Sequence, residues 1–489
     1  MARALFLIGF VSILGQVALL RELNVAFYGS ELVYALTLGF WMLWTGLGAA
    51  VGRRQRAPRE VSLHLLLLAL AAVLPPAAVL IRSGRLFLGG VPGAYLSFPT
   101  QLLLMNLAVL PVGWILGLSF RWGARLHITA GRTAASAYAV ESAGGVAGGL
   151  AATLALKWSL PNLGAVLIAA LIIGLAAAGW SLRRGTRRGH RTALALGGGL
   201  LALAAAGGLI RLAQLDRALT AWSHPDLVAV RDTPYSRVTV TARGGQVAVF
   251  INDALAYETQ SLAAERFVHL AALQRPRPGR ILILGGGFTG LVREALAHQP
   301  DSVHYVELDA QLLELVRAHL PDEDRRALAA VPVRTSIDDP RAFVAGTERR
   351  YDLILIGMPD PDSGQLNRFY TREFFALCAE RLTARGVLAL RLASAENLWT
   401  PHQAQRTAAV FNALGAACAD AVLLPGEESI LLASPAPLAR RPDALVERLV
   451  DRPLDTRLVT PAYVDYIYTN DRFHRAAERL AAAPDIINT

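Results

Sequence analysis

Ile281-Leu282-Ile283-Leu284-Gly285-Gly286-Gly287-Phe288-Thr289-Gly290 is the stretch on which the reading of this chain turns. Four apolar residues of buried-strand type run into a glycine-rich turn, and Leu291-Val292-Arg293-Glu294-Ala295-Leu296 follows with helical character. A strand, a bare-backbone turn and a helix in that order open the nucleotide site of a doubly wound domain, because side chains at the turn would stand between backbone and ligand. Gly285, Gly287 and Gly290 fit the G-x-G-x-x-G spacing, which alone also suits ordinary packing turns. A second element joins it. Val303 to Val306 reads as the next strand and ends in Glu307, about twenty residues past the first glycine, where a carboxylate can accept from both ribose hydroxyls.

Downstream, strands are expected near Ile281, Val303, Val331, Leu353, Val387, Val422 and Ile430, with helices between them. This is an α/β Rossmann-like domain of methyltransferase type over residues 263–489. The strand Tyr351-Asp352-Leu353-Ile354-Leu355-Ile356 runs into Gly357-Met358-Pro359-Asp360-Pro361. Ligands in such sheets lie beyond the carboxyl ends of the strands, which places this loop, and Asp338 with Asp339 after the third strand, at one crevice. Just upstream, Val228 to Val230, Arg237 to Thr241 and Gln246 to Ile251 are short runs broken by Gly244-Gly245 and Asn252-Asp253. They predict a small antiparallel β subdomain over 226–262, before helical periodicity from Ser261 to Gln274.

The remainder, residues 1–213, belongs to another class. Hydrophobic residues make up 54% of the chain, and its mean hydropathy of +0.39 is too apolar for an ordinary soluble protein. Candidate spans are Ala4 to Leu20, Leu32 to Val51, Val61 to Ile81, Thr100 to Phe120, Ala134 to Leu156, Leu163 to Ser181 and Ala193 to Ile210, an α-helical polytopic membrane domain of six or seven helices in a lipid bilayer. The first lacks a small-residue cleavage site and reads as an anchor. Of the net charge of +10, residues 1–213 carry +14 and the rest −4. The excess sits between apolar spans, at Arg53, Arg54, Arg56 and Arg59, at Arg121, Arg125 and Arg132, and at Arg183, Arg184, Arg187, Arg188 and Arg191. It reads as membrane topology with these loops cytoplasmic, and nucleic acid is not an expected partner. Seven spans from a cytoplasmic start would leave the α/β domain outside. A nucleotide-type ligand is cytosolic, so the domain is expected in the cytoplasm of an inner-membrane protein, with Ala193 to Ile210 re-entrant or at the interface, or an earlier span such as the Pro75-Pro76 segment miscounted. Glu141, near Gly144, Gly145, Gly148 and Gly149, and Arg21 with Glu22 read as structural groups, the glycines as helix-packing contacts. Cys378 and Cys418 show no metal-ligand spacing, and no metal is expected.

From about Asp232 to the C-terminus the residues resemble the spermidine synthase-like aminopropyltransferases, in particular bacterial members fused to a multi-span membrane region. The resemblance rests on the triple glycine, Val306-Glu307-Leu308-Asp309, Asp339-Pro340-Arg341-Ala342-Phe343, Pro359-Asp360-Pro361 and Asn367-Arg368-Phe369-Tyr370-Thr371-Arg372-Glu373-Phe374-Phe375. It implies a ligand that is S-adenosylmethionine or its decarboxylated form, held by Gly285, Gly286 and Gly287 at the adenosyl group, Glu307 at the ribose and Asp339 at the adenine amino group. His269 is similar to the family's ligand-side histidine. The implied reaction is aminopropyl transfer to a small amine such as putrescine.

Two departures bear on that reaction. Where the family has Gly-Gly-Gly-Asp, whose Asp steers the donor's amine, this chain has Phe288; where the family has the first Asp of D-x-x-D-P, it has Gly357. An ammonium nucleophile must lose its proton before it attacks, and glycine offers no base. Asp360 is the remaining catalytic candidate. Another S-adenosylmethionine-dependent transferase, or an adenosyl-ligand sensor coupled to a transporter-like membrane domain, are the alternatives. The sequence leaves homo-oligomerisation open.

Overall fold

The computed structural model describes residues 1–54, 59–88, 96–182, 188–395, 399–452 and 454–489. Arg56, Arg183, Arg184 and Arg187 of the basic loops lie outside the described residues. The chain divides into two compact units, Met1–Gly244 with Val249–Leu255, and Gly245–Ala248 with Ala256–Thr489.

The first unit is built on helices α1 (Ala2–Ala26), α2 (Glu31–Arg54), α3 (Glu60–Phe87), α4 (Phe98–Thr129), α5 (Ala134–Lys157), α6 (Asn162–Ser181) and α7 (Arg188–Ile210). These seven, among the described residues, are long and apolar enough to cross a membrane. Both segments on which the topology turns are helical: α3 continues through Pro75 and Pro76, and α7 is one unbroken helix across its glycines. Glycines let backbones meet. A Cβ on Gly144 or Gly148 would overlap the carbonyls of Phe6 or Phe10 on α1, and one on Gly9 would overlap the Glu141 carbonyl, so these glycines pack α5 on α1. The Glu141 side chain is half-buried on α5.

A short helix α8 (Leu212–Ala221) leads to strands β1 (Leu227–Asp232) and β2 (Arg237–Arg243), which pair antiparallel. Glu22 does not pair with Arg21. Its buried carboxylate receives Arg82 (2.8 Å) and Arg237 (2.7 Å); Arg82 also meets Asp216 (2.7 Å) and Arg237 meets Asp232 (2.7 Å). Arg21 donates to the carbonyl of Thr233 (2.6 Å) and to Asn162 (3.0 Å). Opposite charges in that density are tolerable in a dry interior only because each is met by a partner. The cluster therefore fixes α1, α3, α8 and the β1–β2 hairpin in one arrangement.

Two further strands, β3 (Gln246–Ile251) and β4 (Ala254–Glu258), complete a sheet of order β1-β2-β3-β4. The turn before β4 is Asn252-Asp253 at φ 49° and 61°, a pair of residue types that tolerates left-handed backbone. The sequence reading stopped at that turn and missed the strand beyond it.

The second unit continues with α9 (Ala263–Ala272), β5 (Arg280–Leu284), α10 (Leu291–Ala297), β6 (Ser302–Glu307), α11 (Ala310–Arg317), α12 (Asp322–Leu328), β7 (Val333–Ile337), α13 (Pro340–Gly346) and β8 (Tyr351–Ile356). Next come α14 (Gly364–Asn367), α15 (Arg372–Glu380), β9 (Leu382–Ala393), α16 (Pro401–Ala417), β10 (Asp420–Leu424), β11 (Glu428–Ser434) and helices α17 (Pro442–Val450), α18 (Pro461–Thr469) and α19 (Asp471–Ala482). The sheet order is β10-β11-β9-β8-β5-β6-β7, parallel from β7 to β9 and antiparallel at β11 and β10. This is the Rossmann-like, methyltransferase-type arrangement expected from the sequence. Ile281 to Leu284 and Leu353 to Ile356 are fully buried, as central parallel strands covered on both faces must be. The third strand begins at Val333, since Val331 stands fully exposed in the preceding turn. Because β5 lies between β8 and β6, the order reverses there and opens a crevice at the strands' carboxyl ends.

Candidate functional site

The glycine turn is bare because nothing else fits. Gly285 and Gly286 take φ 70° and 63°, in the left-handed region that costs other residues about 1 kcal/mol or more. Space is a second constraint. A Cβ on Gly286 would lie 2.5 Å from the Gly357 carbonyl, one on Gly287 would lie 2.6 Å from the Tyr305 ring, and one on Gly285 would overlap Met358 Sδ. The turn after β5 and the loop after β8 thus close backbone to backbone, tied by Gly357 N–H to the Leu284 carbonyl (2.9 Å), and Gly285 N–H to the Val306 carbonyl (2.8 Å) ties the same turn to β6.

At the end of β6, Glu307 is buried. Its carboxylate accepts from the Tyr305 hydroxyl and from the N–H of Leu308 (2.9 Å) and Asp309 (3.4 Å). Burial pushes this carboxyl above its ordinary value, against those hydrogen bonds. Two oxygens can accept more than three bonds, so capacity remains for neutral hydroxyl donors. Asp309 adds to it. One of its oxygens caps α11, and the other is buried with no partner among the described residues. An orphaned acceptor beside Glu307 and a cradle that any Cβ would fill suit a ligand rich in hydroxyl donors lying flat on backbone.

Asp339 follows β7 and caps α13 through N–H groups of Arg341 (2.8 Å) and Ala342 (3.4 Å). Its second oxygen is held by Arg368 (2.5 Å), whose guanidinium lies 4.5 Å from the Phe369 ring centroid. Asp338 accepts from the Asp339 N–H (2.8 Å). Arg368 is a site neighbour that sequence reasoning missed, because its partner is 29 residues away and only the fold brings them together.

Asp360 is committed elsewhere. Its carboxylate accepts from the Ala393 N–H (3.0 and 3.1 Å) at the end of β9 and pairs with Arg406 of α16 (3.1 Å), which also reaches Asp362 (3.1 Å). Phe288 is buried in the turn itself, edge-on to Tyr257 at 6.5 Å. His269 is also buried, and the α9 residue against the turn is Ala264, 3.2 Å from where a Gly290 Cβ would stand. The imidazole instead joins a chain: Arg452 donates to His298 Nδ1 (2.8 Å), His298 Nε2 lies 2.7 Å from His269 Nδ1, and His269 Nε2 lies 3.2 Å from Glu294. Arg452, an obligate donor, makes His298 Nδ1 the acceptor and leaves that ring neutral, with its proton on Nε2. Burial, the neighbouring His269 and Arg452 push His298 down to about 2. The structure therefore brings Gly285, Gly286, Gly287, Glu307 and Asp339 to one crevice and places His269 and Asp360 in other hydrogen-bond networks.

Residues 260–414 match the spermine/spermidine synthase domain. Over these residues the second unit is similar to the spermidine synthase-like family. Proteins similar to this chain include the polyamine aminopropyltransferase of Mycobacterium tuberculosis strain H37Rv, 31% identical over 282 residues, which cover 54% of this chain and 52% of that protein. The polyamine aminopropyltransferase of Korarchaeum cryptofilum is 33% identical over 124 residues, 25% of this chain and 38% of its own. The chain thus spans about half the length, or less, of these curated relatives. Among solved structures, a spermidine synthase in complex with the transition state analogue AdoDATO is 17% identical with a TM-score of 0.46, covering 53% of this chain and 89% of that one. The Thermotoga maritima spermidine synthase is 16% identical with a TM-score of 0.45, covering 52% and 87%.

Proposed function

We propose that the second unit binds decarboxylated S-adenosylmethionine, or S-adenosylmethionine, and transfers the sulfonium-linked group to a small amine such as putrescine that arrives unprotonated. The observation carrying this reading is the Gly285–Gly286 elbow, closed to any side chain and placed beside the spare acceptors of Glu307 and Asp309. Ribose hydroxyls meet the carboxylates, the adenosyl group lies on the elbow, and Asp339 is the acceptor available to the adenine amino group. In the transfer the amine lone pair bonds the carbon next to sulfur, the carbon–sulfur pair leaves on sulfur as a neutral thioether, and the new ammonium loses a proton to solvent.

The acceptor half supports the condition placed on the amine. Gly357 presents only backbone, Phe288 and Met358 are apolar, and Asp360 is occupied by Arg406 and the Ala393 N–H. A positioned base is worth about 10²–10⁴ in rate, and the described residues supply none where the family has its first loop Asp. We further propose that residues 1–213 span the inner membrane, with the α/β domain in the cytoplasm where adenosyl donors are found. The test is thioadenosine release by the full chain in detergent, with each donor and a panel of diamines, from pH 7 to 9. Release that rises with pH supports transfer. Tight donor binding with no release at any pH favours the second reading, a non-catalytic adenosyl-ligand sensor, which the engagement of Asp360 also supports.

A further inference from the structure

At the end of the sheet opposite the crevice, a cleft of about 140 Å³ is lined by Gln274, Arg385, Ser434, the Ala436–Ala439 loop and Arg448. Ser434 ends β11, whose Ala433 pairs with Leu388 midway along β9, and that register continues through Ile354 of β8 to Leu282 near the start of β5, so the cleft stands roughly 15–20 Å from the glycine turn. Among the described residues no carboxylate lines it. Arg385 is exposed and makes no ion pair among the described residues. Arg448 gives one N–H to the Leu273 carbonyl (2.8 Å), which anchors its fork and leaves the other donors unassigned. Burial holds its guanidinium below the ordinary value and the facing Arg385 charge pushes the same way; the acid acting on it, Glu447, lies outside the lining.

The other polar groups are settled. Gln274 exchanges hydrogen bonds with Ala439 (2.8 and 3.0 Å) and donates to Tyr468 (2.9 Å), and the Leu438 N–H is taken by Asp420 (2.8 Å). The buried Ser434 hydroxyl accepts from the Ala436 N–H (3.1 Å) and keeps its own proton to donate. What faces the space is therefore two guanidinium groups of like charge and one hydroxyl donor, without a counter-charge. Like charges held together in a recess are disfavoured unless an anion joins them, and the planar fork of arginine suits oxygens of a phosphate.

We propose that this cleft binds a small tetrahedral oxyanion, phosphate or the phosphate group of a metabolite, between Arg385 and Arg448. The site is separate from the adenosyl crevice and does not depend on its assignment. The test uses the full chain in detergent at low ionic strength, titrated with inorganic phosphate, glycerol 3-phosphate and chloride, by calorimetry and thermal midpoint. Saturable phosphate binding is expected, lost at least tenfold in Arg385→Ala and partly retained in Arg385→Lys, with the anion-free thermal midpoint of both variants unchanged. A tighter fit for glycerol 3-phosphate than for phosphate assigns the phosphoester as the source, and the reverse assigns the free ion. Chloride matching phosphate at equal ionic strength, or Arg385→Ala and Arg448→Gln both binding as the parent does, overturns the proposal.

Discussion

Gly357→Asp restores the family's missing loop carboxylate on paper, and the structure predicts that it fails. A Cβ at this position stands 2.5 Å from the Gly285 carbonyl oxygen and 2.6 Å from Leu291 Cδ1, where ordinary contact begins near 3.4 Å. The end of β8 would have to retreat from β5 by about 0.9 Å while keeping its bond from Gly357 N–H to the Leu284 carbonyl at 2.9 Å. Overpacking of this kind costs roughly 1–3 kcal/mol. A carboxylate pressed against a carbonyl and stripped of water adds roughly 1–3 kcal/mol more. At about 2–4 °C per kcal/mol for a domain of this size, the thermal midpoint of the second unit should fall by roughly 5–20 °C. Gly357→Ala separates the causes, since it carries the steric part alone and should lose about half as much. The assay is thermal unfolding of the full chain in detergent, paired with calorimetric titration of methylthioadenosine, whose binding should weaken in both variants because the elbow moves. If Gly357→Asp keeps its midpoint within a degree or two and gains thioadenosine release, the closed-elbow argument is refuted.

Three other expectations follow from the site. Arg368→Ala frees the Asp339 oxygen; the pair is partly exposed, so the release is worth only about 0.5–1 kcal/mol, a two- to fivefold tighter dissociation constant for adenosyl ligands. Calorimetry at low and high salt should show the parent's affinity improving with salt and the variant's not, whereas weaker binding in Arg368→Ala makes Arg368 a ligand contact. With a diamine of pKa about 10.4 and no positioned base, kcat/KM should rise close to tenfold per pH unit from 7 to 9, and a plateau below pH 8 would reveal a base in the protein. The third concerns His298, whose folded value is depressed to about 2 from 6.5. Only the unfolded chain takes that proton, so the His298 contribution is whole above pH 6.5 and is lost as pH falls below it, by about 1.4 kcal/mol per unit. His298→Gln should flatten stability against pH between 6.5 and 4 by that slope, and an unchanged slope contradicts a neutral His298.

How far these features were legible depends on whether a local pattern carries them. The run Ile281 to Gly290 shows its fold because burial on both faces and the need for a bare turn are written in adjacent residues, and Glu307 follows at a fixed distance. The seven long helices are equally plain, since lipid-compatible length is a local property. Strand β4 was missed although Asn252-Asp253 signalled its turn, because Ala254-Leu255-Ala256-Tyr257-Glu258 is short and only weakly alternating. Pairings across long separations leave no such trace. Glu22 finds Arg82 and Arg237, Asp360 finds Arg406, and Asp339 finds Arg368 only once the chain is folded. The same holds for His269, which a motif placed at the ligand and the folded chain ties to His298 and Glu294.

The central claim is that the crevice past β5 and β6 holds an adenosine moiety. Calorimetric titration of the full chain with methylthioadenosine and decarboxylated S-adenosylmethionine tests it most directly, with Glu307→Gln beside it to remove the acceptor charge while keeping the shape. Saturable binding that weakens at least tenfold in Glu307→Gln, at an unchanged thermal midpoint, is the predicted result; no heat from any adenosyl compound, or equal affinity in the variant, contradicts it.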